Sequence, residues 1–371
     1  MRYGPALLED WMRKHYYTAT TDIGSSGVQP WSFGQLRNKL SIAVEELDGI
    51  ALTDSTSCGS EQLRQAIAAR WGNGERDWVM VTHGSSEAIY LALHSLLAAG
   101  DHVVLVEPCY HSMESIAEVI GCDVSKWRLR EENRFQPDTR ELKKLIRKET
   151  KMVILNFPHN PTGVTLTKDQ VEEIVSLVSE ADAYLMWDAA FSDLVYEGEP
   201  LPDPTKMYRK AISTGTFSKC YGLPGLRFGW VMAHPQVLES LIPLRDRLTL
   251  HLSPLVEFVA YRAVMQIEEL WKERYDQAKE NLRYLSDWME RNAEFMEWVQ
   301  PSGGVTAFPK VKLQIDVEHM CQELGEKRHV LLVPGSCFGH PQRVRLGFGG
   351  SAEELREGLF QLETYFRNYT R

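Results

Sequence analysis

Lys219 stands directly after a run of apolar and small residues and directly before a glycine-rich turn. The run, residues 211–217, is typical of a buried strand, and residues 222–227 contain two glycines and a proline. A lysine at the end of a buried strand is partly desolvated, which lowers its pKa and suits its amine to forming a Schiff base with a carbonyl group. Lys219 is therefore a candidate catalytic residue, with a solvated loop lysine as the alternative until its neighbours are considered.

An amide and a carboxylate follow two other predicted strands. Asn160 comes shortly after residues 152–156, and Asp188 ends residues 184–188. The carboxyl ends of parallel strands form one edge of an open α/β sheet, and ligands bind at that edge. If the ligand contains a pyridine ring, a carboxylate at that edge can pair with the ring nitrogen and keep it protonated, so that the ring acts as an electron sink. Taken alone, Asp188 is equally compatible with a helix cap or a turn.

A third motif, Gly84-Ser85-Ser86, lies between a predicted strand and a predicted helix. Backbone N–H groups and the helix dipole favour a phosphate group at such a helix N-terminus. Because serine is also a common N-cap residue, the motif alone is a weak indication. Its weight comes from the motifs that accompany it.

The order of these motifs resembles that of the fold type I aminotransferases of classes I and II. The resemblance covers about residues 47–365 and rests on Gly84-Ser85-Ser86, Pro108-Cys109-Tyr110, Asn160-Pro161-Thr162-Gly163, Asp188, Ser218-Lys219, Arg227 and Arg345. It implies pyridoxal 5′-phosphate (PLP) as the cofactor and an amino acid as the substrate.

The resemblance also implies a role for each residue around the cofactor ring. Lys219 would hold the aldehyde carbon, Asp188 would pair with the pyridine nitrogen, and Asn160 would donate to the ring hydroxyl. Tyr110 would stack on the ring.

Further residues are implied for the phosphate and the substrate. The phosphate would be held by Ser85, Ser86, Thr216 and Arg227. Arg345 would bind the α-carboxylate of the substrate, because a planar guanidinium suits bidentate contacts. A surface salt bridge is the alternative for Arg345.

Two positions depart from the family pattern. Phe191 stands three residues after Asp188, where the family often has a tyrosine whose hydroxyl bonds the ring oxygen. Asp54 stands five residues before Gly59, where the family often has a tyrosine that reaches the phosphate in the neighbouring subunit. A carboxylate cannot serve a phosphate in that way. Asp54 is therefore a candidate for meeting a cationic substrate group near a dimer interface, or is an exposed loop residue.

The N-terminal motifs, residues 8–11, 22–28 and 31–33, are similar to those of capreomycidine synthase and related arginine cyclases, which close an arginine side chain into a cyclic guanidine. This similarity implies a hydroxylated L-arginine as the substrate and a cyclic product of the capreomycidine or enduracididine type. Besides Arg345, the candidate substrate-binding residues are then Glu9, Asp10, Gly24, Ser25 and Asp54. Solvated surface charge is the alternative for the acidic ones.

Three functions are compatible with these motifs. In a cyclase, Lys219 removes the α-proton, a hydroxyl group leaves and the guanidine attacks. In an ordinary aminotransferase, Lys219 moves the proton from Cα to the cofactor, and a keto acid leaves. The third function is a PLP-binding regulator without catalysis. Such a protein carries an additional DNA-binding module, and because the enzyme fold is expected to use all 371 residues, this function is disfavoured.

The elements that position these residues alternate along the chain. Between residues 78 and 181, short β-branched runs precede helix-period segments three times, and further strands are predicted up to residue 233. Together with the resemblance, this pattern predicts an α/β protein of the fold type I aminotransferase class. Its sheet is expected to be mainly parallel and seven-stranded, with a smaller α/β domain formed by both termini.

The predicted domains are an N-terminal segment that joins the small domain (1–46), a large PLP-binding domain (47–290) and a C-terminal small domain (291–371). A long helical region over about residues 254–292, with few helix-breaking residues, is predicted to link the large domain to the C-terminal one. Residues 24–30 are predicted to be a loop that is too polar and glycine-rich to lie in the core.

Composition and residue patterns indicate which partners, metals and cellular location to expect. The formal net charge of −10, without a concentrated basic stripe, argues against nucleic acid. No apolar run of spanning length and no signal peptide are evident, so a cytoplasmic protein without membrane contact is expected. The six cysteines are scattered without metal-ligand spacing, which predicts free thiols and no metal site. The family resemblance implies a homodimer, which would cover Trp11, Tyr16 and Trp31.

Overall fold

The computed structural model describes residues 3–369. The helices are α1 (Leu7–His15), α2 (Phe33–Lys39), α3 (Val44–Asp48), α4 (Glu61–Arg70), α5 (Gly84–Leu96), α6 (His111–Ile120), α7 (Thr139–Leu145), α8 (Lys168–Glu180), α9 (Pro235–Arg245), α10 (Pro254–Met265), α11 (Ile267–Arg291), α12 (Val317–Arg328) and α13 (Ala352–Tyr369). The strands are β1 (Thr21–Asp22), β2 (Val79–Thr82), β3 (His102–Glu107), β4 (Asp123–Arg128), β5 (Thr150–Asn156), β6 (Tyr184–Asp188), β7 (Ala211–Thr216), β8 (Gly229–Ala233), β9 (Met296–Glu297), β10 (Thr306–Ala307), β11 (Lys310–Val311), β12 (Val330–Leu331), β13 (Val333–Pro334) and β14 (Val344–Gly347).

A seven-stranded sheet has the strand order β2-β8-β7-β6-β5-β3-β4. The strands from β7 to β4 pair in parallel, whereas β8 is antiparallel to both of its neighbours. Every residue of β7 and β8 is buried, because helices cover both faces of the sheet. The predicted α/β fold with a mainly parallel seven-stranded sheet is confirmed.

Two elements differ from the prediction. The edge strand β4 was not predicted, because Asp123, Lys126 and Arg128 interrupt any apolar run and only Trp127 is fully buried. The long helical region predicted over residues 254–292 is present, but it is not a single helix. It is divided into α10 and α11 at Gln266, whose backbone leaves the helical region (φ −125°) and whose side-chain amide donates to the Leu40 carbonyl at 3.1 Å.

Both termini contribute to a smaller α/β unit, as predicted. Strand β1 pairs in parallel with β12, and β14 lies between β10 and β13 in a three-stranded antiparallel sheet. Helix α13 packs closely on Ile23, the residue after β1, since a Cβ at Gly358 would lie 2.6 Å from its Cγ2. The domain boundaries at residues 46/47 and 290/291 stay predictions.

Other sequence-based expectations can be compared with the side chains. All six cysteines are free thiols. Within residues 3–369, none of the helices combines the length and the apolarity that crossing a bilayer requires. Of the three aromatic residues expected to be exposed without a second subunit, Trp11 is buried, Trp31 is half-buried and Tyr16 is 45% exposed, so the expectation is wrong for Trp11 alone. Trp11 is 8% exposed and donates to the Leu332 carbonyl at 2.9 Å, and the Arg274 guanidinium lies 3.7 Å from the ring centre of Trp31.

Candidate active site

A cavity of about 1040 Å³ lies at the carboxyl edge of the sheet. Asn156 and Asp188, which end β5 and β6, are in register and both line it. Lys219 lines it from the turn after β7. The structure therefore brings together the amide, carboxylate and lysine motifs at the edge where open α/β sheets bind ligands.

Lys219 is held by the N-terminal segment of the chain. Its Nζ donates to Oγ of Ser26 at 2.9 Å, and its carbonyl accepts from the backbone N–H of Val28 at 3.1 Å. Burial lowers the pKa of the Lys219 ammonium to about 8, and the charge of Arg345 acts in the same direction. The ammonium still predominates at pH 7, but the neutral amine is far more populated than in an ordinary lysine, which suits a nucleophile.

Asp188 and Asn160 provide polar groups suited to a pyridine ring. Asp188 is 6% exposed, accepts from the backbone N–H of Ala190 at 3.1 Å, and burial raises its pKa to about 6. A protonated ring nitrogen beside it would stabilise the carboxylate. Oδ1 of Asn160 is buried without a hydrogen-bond partner among the described residues, while the Asn160 backbone N–H donates to Asn156 at 3.0 Å.

His159 fixes the loop that carries Asn160. This histidine is 1% exposed, and its ring contacts the Thr162 hydroxyl at 2.8 Å and the Pro108 carbonyl at 2.7 Å. Burial lowers the pKa of His159 to about 4, so the ring is neutral at pH 7. It ties the Asn160 loop to the segment that leads into Tyr110.

The N-terminus of α5 forms a cradle for an anion. Gly84 has φ +75°, and a Cβ there would lie 2.7 Å from Nη2 of Arg227. His83 precedes the helix and provides no side-chain cap, and Ser85 and Ser86 line the cavity. Backbone N–H groups, a helix dipole and a guanidinium together suit a phosphate.

Ser218 belongs to the same cradle and was missed as a site residue. Its Oγ accepts from Nη1 of Arg227 at 3.3 Å and from the Thr216 hydroxyl at 3.0 Å. Thr216 lines the cavity as predicted, but its Oγ also accepts from the Ser218 backbone N–H at 3.1 Å. Ser218 stands next to Lys219, so its position in the motif could have indicated it.

Tyr110 and Arg345 lie in the cavity wall. The Tyr110 hydroxyl donates to Oε1 of Glu9 at 3.1 Å, and burial, assisted by that carboxylate, raises the pKa of Tyr110 to about 12. Arg345 is 2% exposed, and its Nε and Nη2 donate to the Gly24 carbonyl at 3.1 and 2.8 Å. Burial lowers the pKa of the Arg345 guanidinium to about 10, which still leaves it charged at neutral pH.

The other predicted substrate residues divide into two groups. Glu9 and Ser25 line the cavity, and Gly24 contacts Arg345 through its carbonyl. Asp10 does not line it and pairs with Arg13 instead. Asp54 is also away from it: its side chain is fully exposed and lies 3.1 Å from Nε2 of His251.

The expectation that residues 24–30 lie outside the core is wrong. They form a loop, but Ser26 and Val28 are only 7% and 4% exposed. The loop tolerates burial because its polar backbone groups have partners: Val28 donates to Lys219, and Gln29 donates to the Gly349 carbonyl at 2.8 Å.

Sequence reasoning also did not single out three polar residues that line the cavity: Asp22 and Ser26, which belong to the recognised motif of residues 22–28, and Glu354, which lies outside every motif. Asp22 could have been found from its local pattern, because its Oδ1 accepts from the backbone N–H groups of Gly24 and Ser25, both at 2.9 Å, as in an Asx turn. Glu354 lies on α13 and gives no such local signal.

The residues present fit PLP. A lysine with a lowered pKa, a buried carboxylate, an amide with an unpaired oxygen and an anion cradle lie in one cavity, which Phe191 also lines. The fold and these groups define a PLP-dependent enzyme. The chain belongs to the family described as aminotransferase class I and II, whose model matches residues 40–362.

Individual relatives agree with this assignment. Capreomycidine synthase of Streptomyces vinaceus is 42% identical over 356 residues, which are 95% of this chain and 92% of that protein. The crystal structure of the PLP-dependent cyclase OrfR has a TM-score of 0.94 and 42% identity, covering 100% of this chain and 98% of its own. A PLP-dependent aminotransferase from Streptococcus suis has the same TM-score with 30% identity, covering 99% of both chains.

Proposed function

We propose that this enzyme cyclises a hydroxylated L-arginine to a cyclic guanidine amino acid of the capreomycidine or enduracididine type. The observation that carries the proposal is the charge of the cavity wall. Besides Asp188, three carboxylates line it, from α1, β1 and α13: Glu9, Asp22 and Glu354. The similarity to capreomycidine synthase and to a PLP-dependent cyclase supports the same reaction class.

The wall offers opposite charges to the two ends of such a substrate. Arg345 suits the α-carboxylate. The carboxylates of Asp22 and Glu9 lie near enough to Arg345 for their negative charge to raise its pKa. Carboxylates pair with a guanidinium through short, charge-assisted and often bidentate hydrogen bonds. An arginine-derived substrate can therefore satisfy Arg345 and the carboxylates at the same time.

The residues would divide the chemistry as follows. PLP, when bound, supplies an electron sink for negative charge at Cα. Asp188 would keep that sink protonated, and neutral Nζ of Lys219 would take the α-proton. The side-chain hydroxyl group would leave as water with the proton held by Lys219, and a guanidine nitrogen would form the ring by bonding to the carbon made electrophilic. That nitrogen would release a proton, and Cα would take one up again through Lys219. Such a reaction needs no second substrate.

The test is product analysis with purified holoenzyme. Each hydroxyarginine isomer is incubated without a keto acid, and the product is identified by mass spectrometry and NMR. We expect a product lighter by one water that keeps its α-amino nitrogen, with solvent deuterium at Cα after reaction in D2O. Turnover that depends on 2-oxoglutarate or pyruvate and gives a keto acid would instead identify an aminotransferase.

The role of the carboxylates can be tested with a matched pair on α1. Glu9→Gln removes a cavity charge but leaves an acceptor for the Tyr110 hydroxyl, so we expect KM for hydroxyarginine to rise about tenfold, as for the loss of one charged hydrogen bond. Asp10→Asn changes a carboxylate outside the cavity lining and should leave KM unaltered. Equal KM values for both variants would contradict a guanidinium contact at Glu9.

The enzyme is further proposed to be a cytoplasmic homodimer. Leu52 and Leu250 are 79% and 56% exposed, and the neighbouring Asp54 and His251 contact each other, so these apolar side chains belong to one surface. A second copy covering this surface would bring Asp54 to the interface. Light scattering should give twice the chain mass, and Leu250→Asp should reduce it to the monomer value. A fully active monomer at nanomolar concentration would oppose this proposal.

A further inference from the structure

One short segment of the chain contacts both the proposed base and the proposed carboxylate clamp. Asp22 folds this segment by accepting from the backbone N–H groups of Gly24 and Ser25. The Gly24 carbonyl then receives two hydrogen bonds from the Arg345 guanidinium, at 3.1 and 2.8 Å. The segment therefore has a fixed conformation where it reaches the cavity.

Ser26 follows on the same segment and reaches Lys219. Its side chain is 7% exposed, lines the cavity and places Oγ 2.9 Å from Nζ of Lys219. The next contact, from the Val28 backbone N–H to the Lys219 carbonyl, is 3.1 Å long. Both ends of the lysine, its backbone and its amine, are thus held by residues 26–28.

We infer that Ser26 is a further catalytic residue, whose hydroxyl orients the Lys219 amine for proton transfer at the substrate Cα. The inference rests on the proposed role of Lys219 as the base, but not on whether the product is cyclic. In the transfer, the proton on Cα passes to neutral Nζ, which becomes an ammonium, and the bonding electron pair stays with the substrate carbon.

The physical basis is the direction of the hydrogen bonds. A serine oxygen accepts one N–H of the amine or of the ammonium, which removes rotational freedom from a long side chain and limits where the nitrogen lone pair can point. The ammonium is the stronger donor of the two, so the Ser26 contact favours the protonated product of the transfer. Ser26 would therefore orient the Lys219 amine toward Cα and stabilise the ammonium that forms when the amine takes the proton.

The charges around Lys219 come from four sides. Arg345 on β14 and Arg227 after the cradle disfavour its ammonium form, and Glu9 on α1 and Asp188 on β6 favour it. Ser26 is the neutral group in hydrogen-bond contact with the amine. Changing Ser26 therefore removes a hydrogen bond without altering any of these charges.

The first measurement uses the protein without bound cofactor. Lys219 is amidinated with methyl acetimidate at a series of pH values, and its modification is quantified by peptide mass spectrometry. For Ser26→Ala, we expect the apparent pKa of Lys219 to fall by about one unit, the size expected for losing a hydrogen bond to the charged form. Ser95→Ala serves as the control, because the buried Ser95 hydroxyl has no partner among the described residues and lies away from the cavity.

The second measurement uses the holoenzyme with substrate in D2O. For Ser26→Ala, we expect the rate of deuterium incorporation at Cα to fall at least about tenfold, with little change in KM. Ser26→Thr retains the hydroxyl and should restore most of the rate, and Ser26→Cys, close in size and with a weak acceptor, should give an intermediate pKa and rate. If Ser26→Ala does not fold, the Cys and Thr variants provide the same comparison.

The inference is overturned if the variants without the hydroxyl keep the wild-type Lys219 pKa and exchange rate, or if Ser95→Ala changes both as much. Product identity is recorded in the same experiments. A keto acid product would refute the proposed cyclisation while leaving the Ser26 effect on exchange measurable, so the two failures can be told apart.

Discussion

Gly84 offers a sharp test of the anion cradle. It begins α5 with φ +75°, and a Cβ there would lie 2.7 Å from Nη2 of Arg227. We predict that Gly84→Ala weakens PLP binding by much more than the backbone strain alone explains. Positive φ costs a residue with a side chain about 1–2 kcal/mol. The contact itself involves the far end of a flexible side chain, so Arg227 moves away and the fold survives.

The loss of affinity follows from what the methyl group displaces. A hydrogen bond to a charged group contributes about 1.5–3 kcal/mol, and each ~1.4 kcal/mol is a factor of ten in affinity. Displacing Arg227 from a phosphate at the α5 N-terminus should therefore raise the Kd for PLP about ten- to a hundredfold. Titrating cofactor-free protein with PLP and following the absorbance measures this directly.

Gly100→Ala is the matched control. Gly100 has φ +89°, close to that of Gly84, but a Cβ there would meet no atom within 4 Å. Both variants should lose a similar free energy of unfolding in urea, and only Gly84→Ala should lose affinity for PLP. If the two variants bind PLP equally well, Arg227 and the N-terminus of α5 do not hold the phosphate.

Three further predictions concern the groups around the ring. Lys219→Ala should abolish the absorbance of covalently held PLP and all turnover, whereas Lys168→Ala, at an exposed position on α8, should keep both. A Lys219→Ala variant that stays active and still forms a PLP adduct trapped by borohydride would contradict this. Asp188→Asn should keep the wild-type circular dichroism spectrum but slow deuterium exchange at Cα about a hundredfold or more, because a neutral partner no longer keeps the ring protonated; a wild-type exchange rate would remove Asp188 from the mechanism. Only the neutral amine attacks the aldehyde, and burial lowers the pKa of Lys219 to about 8. The rate of PLP attachment to cofactor-free protein, followed by stopped-flow absorbance, should therefore rise with pH and level off above about 8. A rate that keeps rising up to the ordinary pKa of lysine would count against the burial argument.

The sequence predicted the part of the site that depends on local order along the chain. Asn160, Asp188 and Lys219 each follow a buried strand, and parallel strands end at a common edge, so their meeting in one cavity follows from the topology. The strands themselves were recognisable because most of their residues are buried on both faces and are apolar or small. Strand β4 lies at the edge and has no such run, which is why it was missed.

The parts that could not be predicted depend on long-range packing. Ser26 and Lys219 are 193 positions apart, and no local pattern indicates that their side chains meet. The buried loop around Ser26 illustrates the same limit, because its polar composition is typical of solvent exposure. Its burial is possible because distant parts of the chain, among them Lys219 and Gly349, supply partners for its backbone groups.

The charge of the cavity wall also bears on how one fold serves different substrates. Aspartate aminotransferases are among the relatives of this chain. An amino acid with a second carboxylate would place like charge beside Glu9, Asp22 and Glu354 here, and like charges at close range in a partly buried site repel one another strongly. A cationic side chain reverses the sign of that interaction while leaving Arg345 free for the α-carboxylate. The chemistry at Cα could then stay the same across the fold, and we expect the wall contributed by the two termini to select which side chain enters.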